Sequence, residues 1–73
     1  MAQFRDQKLL DKIAARLKSL REEKGLSQEN VYNELDVHIG RIEVGKVNVS
    51  VSTLSKLCQY FDITLTEFFS EIE

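Results

Sequence analysis

Helix boundaries follow one another closely between Gly25 and Ser50. Gly25 is suited to end a first helix, because glycine takes left-handed backbone angles without steric cost. Ser27 can cap the start of a second helix, and Asp36 can cap the start of a third. Gly45 can then close the third helix before Ser50 caps a fourth. This order of stops and starts is typical of a helix-turn-helix unit, and it makes duplex DNA the leading candidate ligand.

Apolar residues recur at helical spacing along the chain. They predict helices over about residues 5–24, 28–34, 37–44, 51–61 and 65–70. At the start of the last helix, Thr64 and Glu67 match a capping box, in which each side chain satisfies a backbone donor of the other residue. The sequence therefore predicts an all-α fold, a compact five-helix bundle, in a single helix-turn-helix domain covering residues 1–73.

Composition argues against several other classes of protein. Cys58 is the only cysteine, which excludes an internal disulfide and gives no metal-ligand pattern, so we expect a reducing, cytoplasmic setting. The sequence has no signal-peptide pattern and no apolar run of the roughly 18 residues that a membrane span needs. No enzymatic activity and no cofactor are expected, because the sequence has no glycine-rich phosphate loop, metal cluster or nucleophile paired with a base.

The net charge of -2 at pH 7 argues at first sight against DNA binding. The charges are unevenly distributed, however. Residues 38–59 carry three cations and one acid, whereas residues 61–73 carry four acids and no cation. A basic face can bind DNA beside an acidic far end, because the local field matters more than the net charge. Since the basic patch is thin, we expect modest affinity per monomer and reliance on dimerisation.

The predicted third helix has an apolar back and a small-residue front. At about 100° per residue, Ile39 and Ile42 point toward the core together with Leu35. The residues that point away, toward a DNA groove, are Val37, Gly40, Arg41 and Val44. Arg41 is the best candidate for base recognition, because a guanidinium can donate two hydrogen bonds to guanine O6 and N7. The alternative is a solvated surface arginine, and His38 on the flank either contacts DNA or packs on the surface.

Two charged residues fall on the buried sides of their helices. Glu43 lies toward the core on the third helix, and Arg21 flanks the apolar stripe of the first. Because an unpaired charge there is costly, we predict a salt bridge that fixes the third helix against the first; two unrelated snorkelling side chains are the alternative.

Gln28 is predicted to donate to a DNA phosphate, unless it is an ordinary first-turn glutamine. The full set of candidate DNA-binding residues is Gln28, Val37, His38, Arg41, Lys46, Asn48 and Ser50.

Longer segments of the chain resemble a known family. Residues 13–28, which run IAARLKSLREEKGLSQ, are similar to the first helix and second-helix start of the Xre/Cro-type, lambda-repressor-like bacterial transcriptional regulators. Residues 41–46, RIEVGK, resemble the end of the family's recognition helix, and residues 50–57 and 65–69 resemble its fourth and fifth helices. The resemblance covers about residues 13–69.

This resemblance implies a five-helix fold, a homodimer and a near-palindromic operator. At the matching positions it implies Gln28 on phosphate, Arg41 on bases, and a salt bridge between Arg21 and Glu43. The chain departs from the family between Gln28 and Glu43, which lie about three residues closer than usual, a loss of about one helical turn. Tyr32 stands where a small residue is typical of the second helix, and the turn lacks the usual glycine.

Large apolar residues are concentrated in the C-terminal third of the chain. Phe61 and Phe68 are expected in the core. A chain this small cannot easily bury all the others, so we predict that some of them form a two-fold dimer interface. The predicted interface residues are Tyr60, Phe69 and Ile72.

These features predict sequence-specific binding of double-stranded DNA by a small homodimeric regulator, with the third helix in the major groove. The alternative is a helical protein-interaction module, an adaptor or an antitoxin-like protein, with weak or no DNA binding. The net acidity, the shortened turn and Asp36 favour this alternative. Neither a membrane nor a small-molecule partner is expected.

Overall fold

The computed structural model describes residues 4–72. Within that range the chain forms five helices and no strand: α1 (Gln7–Glu23), α2 (Gln28–Leu35), α3 (Ile39–Glu43), α4 (Val51–Tyr60) and α5 (Leu65–Ser70). The predicted all-α, five-helix fold is confirmed, and each predicted bound lies within two residues of the observed one. No helix in the described range combines the length and the apolar character needed to cross a membrane.

The hydrophobic core lies between α1 and the four shorter helices. α1 contributes its apolar stripe, which includes Ile13, Leu17 and Leu20. The most deeply buried side chains from the other helices and the residue after α4 are Val31, Ile39, Leu57, Cys58, Phe61 and Phe68. Every helix therefore gives one face to a shared core, which leaves the opposite face of α3 at the surface.

Local hydrogen bonds fix the helix starts that the sequence predicts. Ser27, Ser50 and Thr64 each accept the backbone N–H three residues further on, at distances of 3.0 to 3.1 Å. The Thr64 N–H also donates to the Glu67 carboxylate at 3.0 Å, and the hydrogen bonds from Thr64 lower the pKa of Glu67 below its usual value. Gly25 follows α1 with a left-handed φ of 68°. These three caps and this helix stop are confirmed.

The turn between α2 and α3 differs from the prediction. Asp36 does not cap α3; it ends α2, with a left-handed φ of 56° and its N–H donating to the Tyr32 carbonyl at 2.8 Å. Aspartate and asparagine are the non-glycine residues that adopt this conformation most readily, so Asp36 serves where the chain lacks a turn glycine. Lys56 on α4 donates to the Leu35 carbonyl at 2.8 Å and satisfies an acceptor that the end of α2 leaves open.

α3 consequently begins at Ile39, and the predicted start at Val37 is wrong. Val37 lies in the turn and is half-buried against the core, where its apolar side chain is more stable than on an outward helix face. His38 occupies the N-cap position but makes no capping bond with its side chain. α3 spans five residues, which gives it a length of about 7.5 Å.

Cys58 on α4 has a buried thiol. The residue is 1% exposed, and burial raises the pKa of the thiol, although the positive charge of Arg16 acts in the opposite direction. Because the thiolate is the reactive form, we expect the native protein to react with an aromatic disulfide reagent at least about tenfold more slowly than the urea-unfolded protein. Absorbance of the released thiol measures both rates, and equal rates would contradict the prediction.

Candidate nucleic-acid interface

α3 is anchored by its apolar back and presents a narrow front. Ile39 and Ile42 are buried in the core. Arg41 is exposed on the opposite face, as the helical wheel predicts, and Val44, directly after the helix, is 65% exposed. Gly40 lies against α2, because a Cβ there would come within 2.8 Å of Gln28 Oε1. Gly40, which the helical wheel places outward, is thus half-buried against α2, and Arg41 is the exposed side chain within α3.

An ion pair joins α1 to the end of α3. Arg21 donates from Nε to Glu43 Oε2 at 2.8 Å and from Nη2 to Oε1 at 3.0 Å. These two side chains are 10% and 4% exposed, and Arg21 Nη1 also donates to the Leu26 carbonyl at 2.8 Å. The hydrogen bonds to Glu43 raise the pKa of Arg21 above its usual value, whereas burial acts in the opposite direction. The pair that the helical wheels place together thus fixes α3 against α1.

Gln28, the first residue of α2, belongs to the same network. Its Nε2 donates to Glu43 Oε1 at 3.0 Å, so the amide lies over the end of α3. An amide nitrogen carries two hydrogens, and Gln28 is exposed. Gln28 can therefore keep this contact and still direct its second hydrogen toward a phosphate oxygen.

A second contact holds the chain just after α3 to the start of α1. Gln7 Nε2 donates to the Gly45 carbonyl and, at 2.8 Å, to Asp11 Oδ1. Gly45 has a φ of 82° and is buried, and a Cβ there would come within 2.8 Å of Asp11 Oδ1. The local sequence pattern gives no sign of this contact, because 38 positions separate Gln7 from Gly45. α3 is thus held to α1 both by Glu43 and through Gly45.

His38 and Tyr32 form an aromatic pair beside the front of α3. Their ring centroids are 4.5 Å apart with a tilt of 32°, and both residues are exposed. Surface clefts of about 370 Å³ toward α2 and about 330 Å³ toward α4 border both His38 and Arg41. Tyr32 therefore supports His38 near the predicted base-reading residue, a contact that residue spacing alone did not reveal.

The remaining phosphate candidates follow α3. Lys46 is exposed. Asn48 Nδ2 donates to the Phe4 carbonyl at 3.0 Å. The Ser50 hydroxyl accepts the Thr53 N–H in the cap of α4 and donates to Thr53 Oγ1 at 2.9 Å. Lys46 can therefore meet a phosphate with its side chain directly. Near Asn48 and Ser50, the donors best placed for a phosphate are backbone N–H groups at the start of α4.

The three residues predicted at a dimer interface are half-buried. Tyr60, Phe69 and Ile72 each pack partly against the core and keep part of the side chain at the surface. Tyr60 lies 5.4 Å from the Phe61 ring, and Phe69 meets Phe68 edge to face at 5.3 Å. They are held in place by core residues and present apolar surface outward; their use in a dimer stays a prediction.

α2, the turn at residues 36–38 and α3 together have the form of a helix-turn-helix unit. Its second helix is buried on one side and carries an exposed arginine on the other. An exposed α-helix of this kind is the element that DNA-binding domains of this class place in the major groove. The fold and the site therefore define a helix-turn-helix domain.

Comparison with known proteins agrees with this class. A family model described as helix-turn-helix matches residues 17–68, and the chain belongs to this family of Cro/C1-type, DNA-binding transcriptional regulators. The chain is 45% identical over 62 residues to the control protein C.MunI of Mycoplasma sp, an alignment covering 80% of this chain and 84% of that protein. It is 44% identical over 62 residues to the HTH-type transcriptional regulator PuuR of Escherichia coli (strain K12), covering 80% of this chain and 33% of PuuR. No solved structure matches the chain significantly.

Proposed function

We propose that this protein binds a specific sequence in double-stranded DNA as a homodimeric, cytoplasmic transcriptional regulator, with α3 in the major groove. The observation that carries the proposal is the exposed Arg41 on a helix whose back is anchored in the core by Ile39 and Ile42. A guanidinium so placed can bind guanine O6 and N7 together. An α-helix is about 10–12 Å across with its side chains, which fits the roughly 12 Å width of the major groove.

Phosphate contacts on both sides of α3 would position it. Gln28 begins α2, which precedes α3 in the chain, and Lys46 and the N-terminus of α4 follow α3. Side-chain donors and free backbone N–H groups at helix starts are common phosphate ligands. These contacts fix the register of α3 on the duplex and leave base recognition to α3 itself.

The half-buried residues Tyr60, Phe69 and Ile72 support a two-fold dimer. A two-fold axis makes the same apolar surface self-complementary. It would place the two α3 helices about 34 Å apart, one turn of B-DNA, so that each reads one half of a near-palindromic operator.

Selection of bound sequences from random duplex DNA tests this proposal. We expect an inverted repeat whose half-sites are centred about one helical turn apart. Binding to the selected duplex should weaken steeply as salt rises, because neutralised phosphates release counterions. The absence of any enriched sequence, together with no binding to duplex DNA at low salt, would overturn the proposal.

Arg41→Ala is expected to weaken binding to the selected operator by about 1–3 kcal/mol and to relax the preference at one base pair. Arg41→Lys keeps the charge but loses the planar pair of donors, so it should keep most non-specific binding and lose the same base preference. Fluorescence anisotropy with operators altered at each position measures both effects. Lys18→Ala, an exposed cation on α1, is the control and should keep the base preference. Equal weakening by Arg41→Ala on all sequences would make Arg41 a phosphate contact.

A protein-interaction module is the second candidate function. The net charge of -2 and the five-residue α3 favour it, because both reduce what the surface can offer to DNA. It predicts no salt-dependent binding to any duplex, which is the result that overturns the first candidate.

A further inference from the structure

We infer that Val44 contacts the C5-methyl group of a thymine close to the guanine that Arg41 binds, and that it thereby sets part of the operator sequence. The inference rests on the proposed DNA-binding function and extends it from Arg41 to a second specificity-determining residue. The inference follows from the side chains that remain exposed on α3, which has five residues.

Very few side chains remain on the front of α3. Ile42 is buried, and Glu43 is turned inward by its bonds to Arg21. Gly40 has no side chain. Of the described residues 39–44, Arg41 and Val44 are the ones exposed at the surface, and Val44 is 65% exposed.

Val44 stands on the same face as Arg41. Its φ of -72° and ψ of -19° continue the helical path beyond Glu43. Residues three apart on a helix have Cβ atoms about 5–6 Å apart, and successive bases on one strand rise about 3.4 Å. A base contacted by Val44 therefore lies one or two steps from the base contacted by Arg41.

The chemistry of valine selects one feature of the groove. An isopropyl group neither donates nor accepts a hydrogen bond, so it cannot pair with the N7, O6, O4 or amino groups of the base edges. Among the four base pairs, the apolar group in the major groove is the C5-methyl of thymine. Contact with this methyl removes apolar surface from water on both partners, whereas contact with another base edge covers a polar group without replacing its hydrogen bonds.

Deoxyuridine substitution tests the contact, because it removes only the methyl group. In the selected operator, each thymine within two steps of the guanine read by Arg41 is replaced in turn, and affinities are measured by fluorescence anisotropy. The wild-type protein should bind about fourfold more weakly at one of these positions, the effect of one buried methyl-sized group. Val44→Ala keeps only a short apolar side chain and should lose most of this difference. Lys18→Ala removes an exposed side chain from α1, outside the proposed interface, and it should keep the fourfold difference.

Three results would overturn the inference. They are a selected operator with no thymine within two steps of that guanine, a wild-type protein that ignores every such substitution, or a Val44→Ala variant that keeps the difference. In each case the guanine preference removed by Arg41→Ala would still stand, so the proposed function would survive. A protein that binds no duplex would remove both proposals. Circular dichroism of Val44→Ala shows whether the exposed substitution leaves the fold unchanged.

Discussion

Replacing Glu43 with alanine is expected to lower the free energy of unfolding by about 3–5 kcal/mol. The variant leaves the Arg21 guanidinium buried with the Leu26 carbonyl as its remaining hydrogen-bond acceptor among the described residues. Arginine does not lose its proton at accessible pH, so the protein cannot relieve this cost by neutralising the charge. A small domain has a total stability of roughly 5–15 kcal/mol, so this loss would remove a large share of it. Urea denaturation followed by circular dichroism measures the change.

Two further variants distinguish the effect of losing the ion pair from the effect that any substitution has on stability. Glu34→Ala removes an exposed carboxylate from α2 and should change stability by no more than about 0.5 kcal/mol. The double variant Arg21→Met with Glu43→Leu should be more stable than Glu43→Ala alone, because no buried charge is left unpaired. An unchanged melting temperature for Glu43→Ala would show that the pair does not stabilise the fold.

The same ion pair links stability to the proposed function. Glu43 binds Arg21 on α1 and Gln28 on α2, so one carboxylate joins three helices. Loss of this carboxylate removes the contacts with Arg21 and Gln28 and leaves the Gln7 bond to the Gly45 carbonyl as the polar contact that orients the end of α3 among the described residues. A base contact by Arg41 needs that orientation, since the two hydrogen bonds to guanine have a fixed geometry.

The helix starts could be predicted because their signals are local. Ser27, Ser50 and Thr64 each precede a helix and accept an N–H three residues later, which a single stretch of sequence contains in full. Glu43 could be placed beside Arg21 for a similar reason. Helical periodicity places both charges on buried faces. A buried charge is costly unless it is paired, so the two opposite charges are expected to form an ion pair.

The start of α3 could not be predicted because its determinants are distant in sequence. Asp36 can cap a following helix or end a preceding one, and the local pattern does not decide between them. The structure decides through Lys56, which binds the Leu35 carbonyl from α4, and through the core, which takes up Val37. The contact between Gln7 and Gly45 could not be predicted either, because these residues are also distant in sequence.

Intramolecular partners also distinguish the candidate phosphate ligands. Gln28 and Asn48 carry amide side chains that can donate, and Ser50 marks the start of α4; each of the three side chains has a partner within the protein. Lys46 and Arg41 are exposed cations. We therefore expect these two cations to contribute more to DNA affinity than the three side chains that already have partners, since phosphate affinity is largely electrostatic.

Phe68→Ala is expected to lower the free energy of unfolding by about 3–5 kcal/mol, whereas Phe69→Ala should cost only about 1 kcal/mol. Phe68 is fully buried where α5 meets the core, and its removal leaves a cavity, while the neighbouring Phe69 is half-buried and meets water on one side. If Phe69 belongs to the proposed dimer interface, Phe69→Ala should remain folded and become monomeric in sedimentation at concentrations where the wild type is a dimer. Its binding to the palindromic operator should then weaken more than its binding to a single half-site.

Two outcomes would contradict these expectations. Equal destabilisation by the two substitutions would contradict the different burial of the Phe68 and Phe69 rings. A folded Phe69→Ala protein that is still dimeric would instead remove Phe69 from the interface.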